Sequence, residues 1–223
     1  ISDYIFPHIV RGAEAELRDR GYSLVLSSTD NDKSKERDNL QFMLGQQLGG
    51  LIVEPTKSAQ GNPNLGFYLS LQLRHTPFVM INARYPEMSC PCLRVDDEAG
   101  GFMAAEHLIR LGHRRIAGFF KTDDLQGVDR LKGFMRAHAR HDLSLPPEHI
   151  VTYETEEKFE KPYNALMAML QWEERPTAIV CYNDELAVRL LDAIRQAKLS
   201  VPEDISIVGF DDTILAEVTD PPL

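Results

Sequence analysis

The feature of this sequence that most limits its fold is a hydrophobic period that keeps switching. Apolar runs too short for a helix alternate with longer stretches whose apolar residues recur every three or four positions. Phe6 to Arg20 carries Ile9, Val10, Ala13 and Leu17 at helical spacing, and Gly21 falls where a left-handed helix cap belongs. Tyr22 to Leu26 then reads as a short strand, Asp32 to Gln47 as a helix, and Gly50 to Val53 as a strand closed by Glu54-Pro55. A helix over Leu65 to Arg74 follows, then strands over Phe78 to Ile81 and Leu93 to Val95, then a helix over Gly101 to Leu111 ended by Gly112. Beyond it the pattern predicts strands over Arg115 to Phe120, His149 to Tyr153, Thr177 to Cys181 and Ile205 to Gly209. Helices over Gly127 to Arg140, Tyr163 to Trp172 and Glu185 to Ala197 separate them. Strands this apolar, spaced by helices, belong to parallel sheets covered on both faces, so the fold class is α/β.

The chain has 223 residues, of which 43% are hydrophobic and 26% charged, an ordinary globular composition. At ~150 residues per domain this length allows one large domain or two small ones. A boundary is expected at Asp96 to Gly100, after a Cys-Pro-Cys turn and a fragile short strand. Two similar α/β lobes would result. The formal charge of −10 disfavours phosphate-backbone binding by this segment alone. No apolar run is long enough to span a membrane, and the first residues show neither a basic segment nor a cleavage pattern, so the chain reads as soluble with no membrane partner. Cys90, Cys92 and Cys181 lack paired C-x-x-C spacing and are expected to be reduced thiols of a cytoplasmic protein. Ile1 falls in what reads as the loop before a first helix, so a preceding strand is expected, as are closing elements after Pro222. A segment lacking them would be poorly soluble.

In open parallel sheets, ligands lie beyond the carboxyl ends of the strands. The residues there are polar: Glu54 and Lys57; Asn82, Arg84 and Tyr85; Lys121, Asp123, Asp124 and Gln126; Glu154, Thr155 and Glu156; Tyr182, Asn183 and Asp184; Asp211 and Asp212. Charged and amide groups mixed with Tyr4, Phe6 and Tyr85 suit a small polyhydroxylated ligand, because hydroxyls both donate and accept and an aromatic ring stacks on a sugar's C–H face. Loops of α/β proteins are polar in any case, and Asn183-Asp184 or Asp32 would serve equally as helix caps. Phosphate-loop, dinucleotide and nucleophile-elbow motifs do not occur, so neither a cofactor nor enzymatic activity is expected. His138-Ala139-Arg140-His141 has H-x-x-H spacing but no glutamate beside the first histidine, and no metal site is expected from it. Met167, Met169 and Trp172 read as core and helix surface.

Several segments together resemble the effector-binding domain of the lactose-repressor family of bacterial transcription regulators, relatives of periplasmic sugar-binding proteins. They are Val95-Asp96-Asp97 with Gly100-Gly101, Glu106-His107-Leu108 through Gly112-His113-Arg114, Arg130-Leu131-Lys132-Gly133-Phe134, Pro176-Thr177-Ala178-Ile179 into Asn183-Asp184, and Val201-Pro202-Glu203-Asp204-Ile205 through Val208-Gly209-Phe210-Asp211-Asp212. Within that family, Ser2 to Pro7, Glu54-Pro55-Thr56-Lys57-Ser58, Thr122-Asp123-Asp124 with Gln126-Gly127-Val128, and Thr155 to Lys158 are similar to arabinose-responsive repressors of Gram-positive bacteria, which join a GntR-type winged helix to a sugar-binding module.

The resemblance implies two Rossmann-like lobes with parallel sheets, the type I periplasmic-binding-protein fold. The lobes would cover 1–96 and 97–211, with a return crossover starting in 212–223. It further implies a homodimer, a pentose effector, L-arabinose before others, held in a cleft between the lobes, and DNA contact only through a separate N-terminal domain. Arg130 falls at the family's ligand-gripping arginine, Asn183 at its amide and Asp211 at its first acid after Gly-Phe. Tyr4, Phe6, Lys57 and Gln126 complete the expected contact set, with either Tyr4 or Phe6 as the stacking ring. A fixed guanidinium fork with a carboxylate and an amide can grip neighbouring sugar hydroxyls. Arg130→Ala is expected to weaken sugar binding by ~1.5–3 kcal/mol without unfolding the lobe. The alternative function is a sugar-binding protein of a transport system, which an upstream signal peptide would reveal.

Overall fold

The computed structural model describes residues 5–223. Its chain divides into two units, Ile1–Val95 and Asp96–Leu223. In the first, helices α1 (Phe6–Asp19) and α2 (Lys33–Leu44) precede strand β1 (Leu51–Val53), and helix α3 (Leu65–Leu73) leads to β2 (Phe78–Ile81) and β3 (Cys92–Leu93). The three strands form one parallel sheet in the order β1-β2-β3, with Leu51 opposite Phe78 and Met80 opposite Cys92. Its core is Leu40, Tyr68, Leu71, Met80, Tyr85 and Met88.

The second unit runs α4 (Asp97–Arg110), β4 (Ile116–Lys121), α5 (Leu125–Arg140), β5 (Ile150–Tyr153), α6 (Lys161–Met169), β6 (Ala178–Cys181), α7 (Asp184–Gln196), β7 (Ser206–Val208) and the short α8 (Ile214–Val218). Its parallel sheet has the order β5-β4-β6-β7. Because successive strand residues point to opposite faces, β4 and β6 supply two cores at once. Ala117, Phe119, Ile179 and Cys181 join Leu166, Leu186, Leu190 and Ile194 of α6 and α7 on one face. Phe120, Ala178 and Val180 join Leu108, Phe134 and Ala137 of α4 and α5 on the other. Each fully buried Leu, Ile or Phe contributes about 1.5–3 kcal/mol, so this unit is held by a sheet buried on both faces.

Local chemistry sets the helix starts. Asp32, Asp96, Asp124 and Asn183 each accept a hydrogen bond from a first-turn amide, those of Ser34, Ala99, Gly127 and Leu186 respectively. The cap at Asp96 starts α4 four residues before the expected Gly101, and places Gly100-Gly101 inside the helix. The glycines are used for close approach, since a Cβ at Gly101 would collide with the Arg130 carbonyl and one at Gly133 with that of Glu98. α4 and α5 therefore pack backbone to backbone.

One expected element is absent. Residues 22–26 are not a strand; Tyr22, Val25 and Leu26 are 57%, 61% and 43% exposed. A strand needs a hydrogen-bonded neighbour, and among the described residues none pairs with this run. β3 is also displaced, covering Cys92–Leu93 rather than Leu93–Val95, because the amides of Met80 and Asn82 reach the carbonyls of Pro91 and Leu93. α6 stops at Met169, so Trp172 lies beyond it.

Three histidines make stability depend on pH. Burial pushes the pKa of His113, His138 and His149 down. His138 is 2% exposed; its Nδ1 pairs with the Phe134 carbonyl, and its Nε2 is buried without a hydrogen-bond partner among the described residues. The unfolded chain then binds protons that the native state refuses, so stability is complete above the unfolded pKa of about 6.5 and is lost as pH falls through the lowered native values. The melting temperature should drop between about pH 7.5 and 5.5, and His138→Phe should flatten that slope. Identical slopes for the two proteins would show that His138 does not contribute.

Candidate functional site

The carboxyl ends of β4, β6 and β7 bring together the polar residues of the second unit. Arg130 lies on the inner face of α5 with Gly127, Phe134 and Ala137 and is only 4% exposed. Its Nε donates to Asp97 Oδ1 at 2.9 Å, its Nη1 donates to the Tyr182 carbonyl at 2.6 Å, and its Nη2 lies 3.6 Å from Asp211 Oδ1. The Phe210 ring covers the guanidinium at 3.6 Å from Cζ, with Tyr182 at 4.9 Å. Burial alone would lower the Arg130 pKa, but Tyr182, Asp97 and Asp211 raise it. Asp97 is pushed up by burial against the pull of Arg130. A guanidinium has five N–H donors, and Asp97 and Tyr182 take one each, so the fork retains directed donors.

The Asp211 loop is strained, and Asp184 holds it. Asp211 and Asp212 have φ of +99° and +52°, in the region that favours glycine. Asp184, 2% exposed at the start of α7, accepts from the Phe210 amide at 3.0 Å, and from the Thr213 amide and hydroxyl at 2.8 and 2.9 Å. Three bonds to one carboxylate fix the turn that carries Asp211 toward Arg130.

Beside it lies a second charged cluster. Lys121 Nζ is 2.7 Å from Asp124 Oδ2 and 3.2 Å from Asp123 Oδ1. The Thr155 amide and hydroxyl donate to Asp123 Oδ2 at 3.0 and 2.6 Å, and the Tyr182 hydroxyl donates to Asp124 Oδ2 at 3.1 Å. Burial would raise Asp123, but Lys121 and the Thr155 bonds outweigh it and hold the carboxyl below its ordinary value. Burial would likewise lower Lys121, and the two aspartates keep it raised instead.

Of the expected contact residues, Arg130 and Asp211 are within ion-pair distance. Asn183 caps α7 through Oδ1, and its Nδ2 makes no hydrogen bond to the described residues. Gln126, half-buried, lies one turn before Arg130 on the same helix face. In the first unit Phe6 opens α1 and is half-buried. Lys57 has φ of +41°, and its amide donates to Asn31 Oδ1 at 2.7 Å. Tyr4 lies outside the described residues. Tyr85 is wholly buried, its hydroxyl donating to Glu36 Oε1 and the Thr56 carbonyl, so it is a core residue rather than a ring open to ligand. Asp97 and Phe210 are site residues that the sequence did not single out by role, and Asp184 stood there only as a strand-end polar residue or helix cap.

Comparison with known proteins places this geometry. Residues 105–223 match the model of the periplasmic binding protein-like domain. The chain belongs to that family. Two curated relatives are arabinose metabolism transcriptional repressors. The one from Geobacillus stearothermophilus is 64% identical over 99% of this chain and 61% of its own length, and the one from Halalkalibacterium halodurans 49% identical over 97% and 58%. The chain thus spans about three fifths of these relatives. A crystal structure of a LacI-family regulatory protein from Chloroflexus aggregans superposes with a TM-score of 0.75 at 28% identity, covering 93% of this chain and 73% of that one. The expected α/β, periplasmic-binding-protein-like fold is borne out. Among the described residues no helix is long and apolar enough to cross a membrane.

Proposed function

We propose that this chain is the effector-binding module of a transcriptional repressor, and that its effector is L-arabinose. The observation carrying this reading is Arg130, a nearly buried guanidinium oriented by Asp97, Asp211 and the Tyr182 carbonyl, with donors left over for the hydroxyls of a neutral sugar. The relatives named for arabinose metabolism favour a pentose. In this reading Arg130, Asp211, Asn183 and Gln126 contact the sugar from the second unit, and Lys57 with Phe6 or Tyr4 from the first. The two units are then the lobes of the module, residues 212–223 begin a return crossover, and the module catalyses nothing. The sugar acts by its differential affinity for two states of the regulator, which cannot shift otherwise. DNA contact through a separate N-terminal domain, homodimerisation and a cytoplasmic location complete the proposal.

Calorimetry with L-arabinose, D-ribose, D-xylose and D-glucose tests it. L-Arabinose should bind at least about tenfold more tightly than the others. A tighter competitor would replace arabinose as the effector, and no heat from any sugar would remove the sugar-binding reading altogether.

A further inference from the structure

The amino ends of the strands in the second unit form a separate pocket. Arg114 and Arg115 lead into β4, Glu148 and His149 into β5, and Trp172 and Glu174 precede β6. Because β4 lies between β5 and β6, three adjacent strand starts gather these side chains around a cavity of about 400 Å³. That volume is in the range of small-molecule sites.

Both guanidiniums are oriented by backbone oxygens. Arg115 Nε donates to the Arg175 carbonyl at 3.0 Å, and Arg114 Nη1 to the carbonyls of Ile109 and His113 at 3.2 Å each. Neither forms an ion pair among the described residues, whereas Arg110, Arg130, Arg136 and Arg175 all do. In a chain of net charge −10, two oriented arginines outside any ion pair among the described residues give this pocket two cationic forks beside the carboxylates of Glu148 and Glu174. The lining includes two stacked rings: His149, 7% exposed, stacks on Trp172 with ring centres 5.9 Å apart and planes 18° apart. The indole is still 37% exposed. Glu148 and Glu174 supply acceptors at the rim.

We propose that this pocket binds a phosphate monoester carrying a flat ring, of the nucleoside monophosphate class. The guanidinium forks of Arg114 and Arg115, both lining the cavity, match phosphate oxygens, an open indole face takes a planar ring, and the two rim carboxylates accept hydroxyls of a linking sugar. The site is distinct from the Arg130 cluster, which sits at the opposite ends of the same strands, and does not depend on which sugar that cluster holds.

Trp172 is the only tryptophan in the chain, so its emission under selective excitation reports this pocket. Adenosine monophosphate should change that emission saturably at or below about 1 mM, while adenosine and inorganic phosphate at equal ionic strength require at least about tenfold more. Arg115→Met should weaken the response to the nucleotide about tenfold or more, with the melting temperature unchanged. If Arg115→Met melts lower than the parent, Arg114→Met supplies the same comparison. The proposal is overturned by no saturable change, by adenosine binding as tightly as its monophosphate, or by folded arginine variants that bind as the parent does. Inorganic phosphate or ribose 5-phosphate binding as tightly as the nucleotide would likewise overturn the flat-ring assignment.

Discussion

Arg130→Ala should destabilise the second unit by about 3–5 kcal/mol at neutral pH and abolish measurable sugar binding, because it removes the cation paired with the buried Asp97 carboxylate. The side chains of Asp97 and Asp211 are 5% and 14% exposed, and water cannot fully replace the guanidinium at either. Phe210 loses the group that covers its ring, and the Tyr182 carbonyl loses a donor. The sequence alone leads to an expected loss of binding without unfolding; the ion pair to Asp97 adds an expected loss of stability to it. The deficit should depend on pH with a definite sign. With Arg130 gone, Asp97 rises further above its unfolded value of about 3.9, so the native state holds a proton that the unfolded chain releases, and stability falls as pH rises. The variant should therefore lie closer to the parent near pH 5 than near pH 7.5. Asp97→Asn on the Arg130→Ala background should recover part of the loss. Urea unfolding of the parent, Arg130→Ala, Asp97→Asn and the double mutant measures this, and Arg130→Ala within about 1 kcal/mol of the parent would show that the ion pair does not organise the site.

The parts of the fold that were legible in the sequence are those governed by local pattern. β4 and β6 are apolar at consecutive positions because both faces of the sheet are covered, and Asn183 and Asp32 stand where helix starts need an acceptor. What was not legible depends on partners far along the chain. Glu36 sits in the polar stretch of α2 and reads as surface, yet it is 3% exposed and accepts from the hydroxyls of Tyr68 and Tyr85 and the amide of Asn64, residues 28 to 49 positions away. Asp97 follows a good cap residue and looks like an ordinary first-turn acid, but the close packing allowed by Gly101 and Gly133 carries Arg130 onto it. Tyr22 to Leu26 has strand composition and no ladder among the described residues, which composition cannot reveal. Arg130, Asn183 and Asp211 were legible only through a resemblance; spacing alone gave no reason to separate them from other polar strand-end residues.

Asp184→Asn should cost about 2–3 kcal/mol of stability and weaken sugar binding more than tenfold, although this residue is not in the proposed contact set. The carboxylate accepts from the Phe210 amide with one oxygen and from the Thr213 amide and hydroxyl with the other. An asparagine can keep only one of those oxygens, and its NH2 group then faces a donor. The remaining turn has little reason to hold Asp211 at φ +99°, a conformation costing on the order of 1–3 kcal/mol that persists only where surrounding bonds enforce it. Relaxation of this turn removes Asp211 from the neighbourhood of Nη2 of Arg130 and so acts on the ligand site indirectly. Asp212→Gly provides the control within the same turn. Asp212 is exposed at φ +52°, where glycine is unstrained, so that change should leave stability within about 1 kcal/mol of the parent and leave sugar affinity intact. Hydrogen exchange of residues 209–213, read with denaturant unfolding and calorimetry, separates the two variants. Fast exchange confined to Asp184→Asn is the expected result, whereas equal protection in both variants would mean that the turn holds itself and Asp184 serves only to start α7.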